Sequence, residues 1–320
     1  MTYTVIISAC KEDGGLHTFR FDESGKLCHL DFYPLPLPMY TVTYDGRLYI
    51  IERKPFEGND ISGILSAKLE DGKLSDYTAP EPTDGIVACH LTVNENGIYA
   101  ANYVSGSIKK LGGRLVTRVG CGPNKARQES AHLHQVTAMP DGNIIACDLG
   151  NDTVAVYDKD LSALISEAKV PDGDGARHIA VERDGKTIWC LTEMGSTVVK
   201  MRYENGKLEA LSHFPLYPDR EVCDTRAAAI RLSNDEKTLY ASNRGFDLIT
   251  VVDISGETAR IVESVSSGGE SPRDFILTPD GKFMVVTNEN TGVALMKMNG
   301  THPELTDTYK IDGALCATIV

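Results

Sequence analysis

The sequence predicts an all-β fold, and a repeated phrase of strand and turn is the main observation behind that prediction. The phrase is a short apolar run that ends in a tight turn, and it begins at residues 39, 90, 135, 178, 229 and 274. All but one of the copies close on Asp-Gly or Asn-Gly, the strongest short signal for a β-hairpin. A period of roughly 40 to 50 residues is typical of the blades of a β-propeller.

Each copy of the repeat predicts four antiparallel strands, which together make one blade. The first strand is the apolar run itself, as in His178-Ile-Ala-Val, and the second follows the turn, as in Ile188-Trp-Cys-Leu. A third strand such as Thr153-Val-Ala-Val-Tyr leads to a second turn and a fourth strand. The segment Pro123-Asn-Lys-Ala-Arg-Gln-Glu-Ser lies outside this pattern, and there we expect a turn of helix or an ordered loop.

The two ends of the chain supply a seventh blade. Residues 3–8, 16–22 and 26–30 predict its second, third and fourth strands, and residues 314–320 predict the missing first strand. Pairing of the two ends leaves no free sheet edge at the junction. We therefore predict a single domain over residues 1–320, a seven-bladed β-propeller with four antiparallel strands per blade, whose ring closes when the C-terminal strand joins the N-terminal blade.

Composition and charge exclude several classes of partner. The formal net charge is −13, with no basic block along the chain, so we expect neither a nucleic-acid partner nor a membrane partner. Apolar runs fall short of the roughly 18 residues that a membrane-spanning helix needs, and the first residues do not resemble a secretory signal. We expect a cytoplasmic protein that is a monomer or a weak homo-oligomer and needs no cofactor.

Propeller geometry predicts where polar residues of distant repeats meet. The innermost strand of a blade runs along the central channel and the second strand runs back, so the start of the first and the end of the second share one mouth. At the first-strand starts the sequence places His90, His132, His134, Arg177, His178 and Arg273. At the second-strand ends it places Asn102, Asp148, Glu193, Asn243, Arg244 and Asn288. Charged side chains that converge in this way indicate a binding site.

A structural role is the alternative for several of these residues. Asn and Asp side chains that precede a turn often bond to nearby backbone. For each of these residues taken singly, the sequence therefore favours a structural role over contact with a ligand. The arginines differ, because several cations in one cavity need carboxylates or an anionic ligand nearby. We expect Glu193 and Glu289 to compensate part of this charge.

At these residues the sequence resembles the propeller-type lactonase family, which includes 6-phosphogluconolactonase of the seven-bladed type and the fungal 3-carboxy-cis,cis-muconate lactonizing enzyme. The matching phrases are His132-Leu-His-Gln, Asp148-Leu-Gly-Asn-Asp, Gly175-Ala-Arg-His, Ala241-Ser-Asn-Arg-Gly and Ser271-Pro-Arg-Asp-Phe. The resemblance implies a catalytic group of one His, two Arg and one Glu, which map to His134 or its neighbour His132, Arg177, Arg244 and Glu193. The chain departs from the family pattern where Ala176 replaces the usual Pro, and where Ala227-Ala-Ala-Ile-Arg lacks an acidic residue found in many relatives.

The function expected from this resemblance is hydrolysis of a sugar-acid lactone, with 6-phosphogluconolactone as the first candidate. His134 would act as general base on a water molecule, and Glu193 would orient the base or the water. Arg177 and Arg244 would stabilise the oxyanion or hold an anionic group of the substrate. The remaining substrate-binding candidates are His90, Asn102, His132, Asp148, His178, Asn243, Arg273 and Asn288.

Three other functions remain open at this point. The same cluster could form a lactone from a muconate, with an acid that protonates carbon. A non-catalytic propeller that binds a sugar acid would need the arginines but has no use for a His and Glu pair. A metal-dependent lactonase is disfavoured, because three arginines at the same mouth would repel a cation, and we expect no metal ligands.

Overall fold

The computed structural model describes residues 1–218 and 226–320, and within these ranges no residue lies in a helix. These ranges accordingly hold no helix that is long and apolar enough to cross a membrane. The first strands in chain order are β1 (Thr2–Ala9), β2 (Gly15–Asp22), β3 (Cys28–Pro34), β4 (Pro38–Tyr44), β5 (Arg47–Glu52), β6 (Ile61–Glu70), β7 (Lys73–Ser75), β8 (Glu81–Ile86), β9 (Ala88–Asn94), β10 (Gly97–Asn102), β11 (Ser107–Lys110), β12 (Leu115–Thr117), β13 (Leu133–Ala138) and β14 (Ile144–Asp148). The others are β15 (Thr153–Tyr157), β16 (Leu164–Lys169), β17 (Ala176–Val181), β18 (Thr187–Thr192), β19 (Thr197–Glu204), β20 (Lys207–Pro215), β21 (Arg226–Leu232), β22 (Thr238–Arg244), β23 (Leu248–Asp253), β24 (Arg260–Ser266), β25 (Pro272–Leu277), β26 (Phe283–Asn288), β27 (Gly292–Asn299), β28 (His302–Tyr309) and β29 (Ala314–Ile319).

The described strands form seven sheets, which are the seven blades predicted from the repeat. Five blades follow chain order: β9 to β12, β13 to β16, β17 to β20, β21 to β24 and β25 to β28. Another contains β4 to β7, and there β8 pairs with β6 as an additional strand that the repeat did not indicate.

The remaining blade joins the two ends of the chain. Its strand order is β29-β1-β2-β3, and β29 pairs antiparallel with β1, with Val5 opposite Ile319 and Ile7 opposite Ala317. The prediction that the C-terminal strand closes the ring is confirmed. The first strand of the chain is therefore an interior strand of its sheet.

By its packing the chain divides into two compact units. The first contains Met1–Ile50, Ser66–Thr78 and Ala228–Val320, and the second contains Ile51–Leu65 and Ala79–Ala227. One core cluster of the first unit is built on aromatic residues, with the rings of Phe21 and Phe283 packed edge to face at 5.5 Å. The predicted single domain stays a prediction.

The core of the second unit is built from apolar residues that alternate along its strands. Ile145, Cys190 and Val199 belong to one buried cluster, and Tyr99 and Val136 belong to another. Removing such side chains from water supplies the main favourable free energy of folding.

Candidate functional site

Among the pairings that the structure describes, five innermost strands carry a β-bulge near their start. In β9, β13, β17, β25 and β29 the extra residues are Cys89, His134, Arg177, Arg273 and Leu315 respectively. A bulge places two residues opposite one and changes the direction of a side chain. Three of the predicted site residues are therefore presented by the same local irregularity, at the same place in three blades.

Three histidines of the second unit pack ring against ring. The ring centroids of His134 and His178 lie 5.2 Å apart, and those of His90 and His178 lie 5.6 Å apart, in both cases edge to face. All three side chains are buried. The Tyr103 ring packs edge to face on His134 at 5.7 Å. The structure thus brings these three predicted histidines into one cluster of side chains.

Hydrogen bonds between innermost strands fix the spacing of this cluster. The Cys89 thiol lies 3.2 Å from the carbonyl oxygen of His134, and so links β9 to β13. The Gln135 side chain links β13 to β17, because its Oε1 accepts from Ile179 N at 2.5 Å and its Nε2 donates to Ile179 O at 3.4 Å. Each linking residue is adjacent in sequence to a histidine of the cluster, so small shifts of these strands move the imidazoles directly.

His132 is held at both ring nitrogens. Its Nδ1 lies 3.0 Å from the carbonyl oxygen of Tyr103, and its Nε2 lies 3.1 Å from Oε1 of Glu129. A carbonyl oxygen only accepts, so Nδ1 carries a proton and Nε2 faces a carboxylate. The His132 ring also stacks on the Tyr103 ring, with centroids 4.4 Å apart. His132 is therefore fixed in orientation, with Glu129 at its second nitrogen.

Glu193 is held between two arginines. Arg177 Nε donates to Glu193 Oε2 over 2.8 Å, and Arg127 Nη2 donates to Glu193 Oε1 over 2.7 Å. The backbone N–H of Glu193 donates to the carbonyl oxygen of Gly175 over 2.8 Å, which fixes the glutamate beside the start of β17. The prediction that Glu193 compensates arginine charge is confirmed.

Arg127 belongs to this site although the sequence analysis assigned it no role, and Tyr103 follows Asn102 at one of the second-strand ends where the sequence predicts the site. Arg127 also donates to the Tyr103 hydroxyl over 3.2 Å. Burial lowers the pKa of Arg127, but the Glu193 carboxylate and the Tyr103 hydroxyl outweigh burial and raise that pKa overall. Burial raises the pKa of Tyr103, so the phenol stays protonated at neutral pH.

The loop that carries Arg127 and Glu129 is the segment that lies outside the repeat. Gln128 N donates to Asn124 O over 2.7 Å, which makes a turn, and the expectation of an ordered loop is confirmed. The Gln128 side chain donates to Leu149 O and to Asp152 Oδ1, at 2.9 and 2.7 Å. Buried Gln128 thus anchors the loop against the end of β14. The interruption of the repeat was the available signal for these two residues.

The predicted Asn and Asp residues of the second unit bond to neighbouring backbone. Asp148 Oδ1 accepts from the backbone N–H of His132 over 2.9 Å, and Asn151 donates to both carboxylate oxygens. Asn102 Nδ2 donates to Thr83 O over 3.1 Å. These contacts are the structural alternative given above for such residues. A role for Asp148 and Asn102 in binding substrate stays a prediction.

The first unit presents its predicted residues at equivalent places. Arg273 is the bulge residue of β25, and its Nη1 lies 3.4 Å from Glu289 Oε2. Asn288 Nδ2 donates to Ser267 O over 3.2 Å, and Asn243 Oδ1 accepts from Phe246 N over 3.3 Å. Arg244 is the last residue of β22 and is partly exposed. Glu289 therefore compensates Arg273 as predicted, and the binding roles of these residues stay predictions.

Comparison with known sequences gives a family match over nearly the whole chain. A sequence model of the family described as "Lactonase, 7-bladed beta-propeller" matches residues 2–317. An uncharacterized protein of Staphylococcus saprophyticus is 32% identical over 307 residues, which cover 89% of this chain and 88% of the relative. An uncharacterized protein of Staphylococcus aureus is 30% identical over 312 residues, which cover 90% of each chain.

Solved structures of similar fold include proteins with lactonase names. A proposed 6-phosphogluconolactonase from Bacteroides fragilis is 27% identical, with a TM-score of 0.87 over 100% of this chain and 98% of that one. A protein from Lactobacillus plantarum is 24% identical, with a TM-score of 0.91 over 100% of both chains. A periplasmic gluconolactonase from Pseudomonas aeruginosa is 22% identical, with a TM-score of 0.88 over 100% of this chain and 99% of that one. At these identities the last two show a shared fold alone.

Proposed function

The chain belongs to the seven-bladed β-propeller lactonase family, and we propose that it hydrolyses a sugar-acid lactone, with 6-phosphogluconolactone converted to 6-phosphogluconate as the first candidate reaction. The observation that carries this proposal is the buried cluster of His90, His134 and His178 in the same unit as the ion-paired Arg177 and Glu193. Lactone hydrolysis needs a proton acceptor for water and positive charge for an oxyanion, and these residue types supply both.

We assign the general base to His134. Both nitrogens of His132 already face protein acceptors, so His132 would serve as a positioning residue. His134 lies on the bulge of β13 and packs against His178 and Tyr103 through ring edges. Proton transfer by a histidine in such a place contributes roughly 10²- to 10⁴-fold to a rate.

The proposed reaction has two steps. Water attacks the lactone carbonyl carbon while His134 takes a proton from the water, and the carbonyl oxygen becomes an oxyanion. We propose Arg177 and Arg244 as the cations that stabilise its charge. The oxyanion then re-forms the carbonyl as the ring C–O bond breaks, and His134 returns the proton to the leaving alkoxide oxygen. Glu193 assists by holding the Arg177 and Arg127 guanidinium groups in place.

We propose substrate-binding or positioning roles for the remaining residues that the sequence predicts for the site. We propose His90 and His178 as neighbours of the base and Arg273 as a contact for an anionic group. Asp148 would act through His132, whose backbone it holds. Asn243 would shape the turn that follows its strand, and Asn102 and Asn288 would hold the backbone at Thr83 and Ser267. The enzyme would act in the cytoplasm as a monomer or weak homo-oligomer, without a metal or organic cofactor.

The test is hydrolysis of freshly prepared 6-phosphogluconolactone, followed as acid release and corrected for spontaneous opening, with and without a chelator. Wild type is compared with His134→Ala and Arg244→Ala, and His213→Ala, an exposed residue of β20, is the matched control. We expect chelator-resistant turnover that falls at least about 100-fold in the first two variants and not in the control. Absence of turnover in the wild type contradicts the proposed substrate and favours the lactonizing reaction on a muconate or a binding role.

A further inference from the structure

The protein contains two Arg–Glu ion pairs at equivalent positions of two blades, and the two pairs differ in length and in burial. In both copies the arginine is the bulge residue of an innermost strand, Arg177 in β17 and Arg273 in β25. In both copies the glutamate follows the end of the second strand, and its backbone N–H donates to a carbonyl oxygen just before the innermost strand. Glu193 N donates to Gly175 O over 2.8 Å, and Glu289 N donates to Ser271 O over 2.9 Å.

The two ion pairs use their arginine donors differently. Arg177 reaches Glu193 through Nε over 2.8 Å, and the side chains are only 1% and 3% exposed. Arg273 reaches Glu289 through Nη1 over 3.4 Å, and the side chains are 19% and 37% exposed. Arg273 Nε is buried and has no hydrogen-bond partner among the described residues. Nε, the donor that Arg177 uses in its ion pair, is thus unused in Arg273.

The backbone that presents Arg273 is also strained. Ser271 has φ of 63°, a left-handed conformation that is unfavourable for a residue with a side chain, while its counterpart Gly175 has φ of 74° at no such cost. Ser271 N donates to Asp247 Oδ1 over 2.7 Å, which holds the strained turn. Strain of this kind persists where the surrounding structure fixes it, and it concentrates at ligand-binding positions.

We propose that Arg273 and Glu289 form an anion-exchange pair, in which an oxyanion group of the substrate, a phosphate ester or a carboxylate, replaces Glu289 as the counter-ion of Arg273 and is bound along the Nε and Nη2 edge of the guanidinium. This inference rests on the proposed function for the identity of the ligand. A guanidinium offers two parallel donors along that side, which match two oxygens of either group. The long contact to a half-exposed carboxylate is easily broken, whereas the buried Arg177–Glu193 pair is not.

The displaced carboxylate has a second cation within reach. The pKa of Lys11 is raised chiefly by Asp312, to which it pairs over 2.9 Å, and more weakly by Glu289. Glu289 therefore lies within electrostatic range of Lys11, whose positive charge favours the carboxylate on that side when an anion occupies Arg273. Until the substrate binds, Glu289 serves as the counter-ion of Arg273.

The experiment is a calorimetric titration with inorganic phosphate and, separately, with acetate. Wild type is compared with Arg273→Met and Glu289→Gln. Arg260→Met is the matched control, because Arg260 is a 71% exposed arginine of the same unit that pairs with Asp253. We expect the Arg273 variant to bind the preferred anion about tenfold more weakly and the Glu289 variant about threefold more tightly, with the control unchanged. The ratio of the two probe affinities identifies phosphate or carboxylate as the group.

Three results would each overturn the inference. The Arg273→Met variant could bind the anion with wild-type affinity, the Glu289→Gln variant could bind it more weakly than the wild type, or the wild type could bind neither anion. Arg273→Lys keeps the charge but loses the fork of donors, so it should bind with intermediate affinity even if the Met variant folds poorly. Because the titration needs no turnover, loss of lactone hydrolysis as a function leaves this result intact. Conversely, if the wild type hydrolyses the lactone but the Arg273 variant binds both anions with normal affinity, the anion-exchange pair is refuted and the proposed function is not.

Discussion

Arg177 donates through Nε to Glu193 Oε2 over 2.8 Å, and the two side chains are almost completely shielded from solvent. The same carboxylate also accepts from Arg127, so one glutamate is shared by two guanidinium groups. Removal of a single residue therefore leaves charge without compensation in a buried place, where the free-energy cost is high.

Glu193→Ala should destabilise the protein by about 3–5 kcal/mol, the usual cost of leaving a buried charge without its partner. The free energy of unfolding from urea titration is the measurement. Arg260→Ala, which breaks an exposed pair with Asp253, should change it by less than about 0.5 kcal/mol. Equal stability of the two variants would mean that the Glu193 site relaxes or admits water.

His134→Asn should lower kcat about 10²- to 10⁴-fold, and His132→Asn should have a smaller effect. The difference follows from the His132 nitrogens, which are engaged by Tyr103 and Glu129. In the wild type the rate should fall as the pH is lowered through the neutral range, because a protonated imidazole accepts no proton. A pH–rate profile without this limb, or with the limb kept in the His134 variant, would argue against His134 as the base.

Gly150→Ala should reduce both stability and activity. A Cβ at this position would collide with the carbonyl oxygen of Ser130 and would lie 2.8 Å from the backbone nitrogen of His132. The strand that carries His134 must then shift, and overpacking of this kind costs about 1–3 kcal/mol. The control is Gly256→Ala, where the nearest atom is 3.9 Å away. The measurements are the midpoint of thermal denaturation and the initial rate of lactone hydrolysis for both variants. Similar midpoints and rates in the two variants would contradict the prediction.

Protonation of His17 should make the protein less stable in mild acid. Burial, together with the nearby His29, lowers the pKa of His17 from 6.5 to about 4. The unfolded chain binds the proton more readily, so the stabilisation is complete above pH 6.5 and is lost as the pH falls from 6.5 to about 4. His17 is partly exposed, so we expect a loss on the order of only 1 kcal/mol.

The measurement is urea unfolding at several pH values between 4 and 7. His17→Phe keeps an aromatic ring beside Phe32, whose centroid lies 4.6 Å from that of His17, and should flatten the dependence. His213→Gln changes an exposed histidine of β20 and should leave the dependence as in the wild type. An unchanged slope in His17→Phe would assign the acid sensitivity to other groups.

The blades and much of the site were predictable because both follow from a short local pattern. Alternating apolar runs and Asp-Gly turns specify the strands. The register of the innermost strands then places His90 and His178 at equivalent positions, directly after the bulge of their strands, and His134 on the bulge of β13 itself. The compensating roles of Glu193 and Glu289 also followed from register, because each lies just beyond the end of a second strand.

Residues placed by tertiary contacts were not predictable in this way. Arg127 and Glu129 reach the site only because Gln128 anchors their loop to Leu149 and Asp152, and no periodic pattern encodes that contact. The additional strand β8 depends likewise on pairing with β6. The orientation of Glu193 toward two arginines also required the structure, since its position in sequence does not reveal Arg127 as a partner.

The pairing of β29 with β1 has a consequence for biosynthesis. The sheet that contains β1 lacks its innermost strand until residue 319 has emerged from the ribosome. Between the synthesis of β1 and that of β29, β1 therefore exposes an unpaired edge, which is a site for association with other nascent chains. This blade is completed only after the strands of the other blades have been made, and assistance by chaperones should be needed most during that interval.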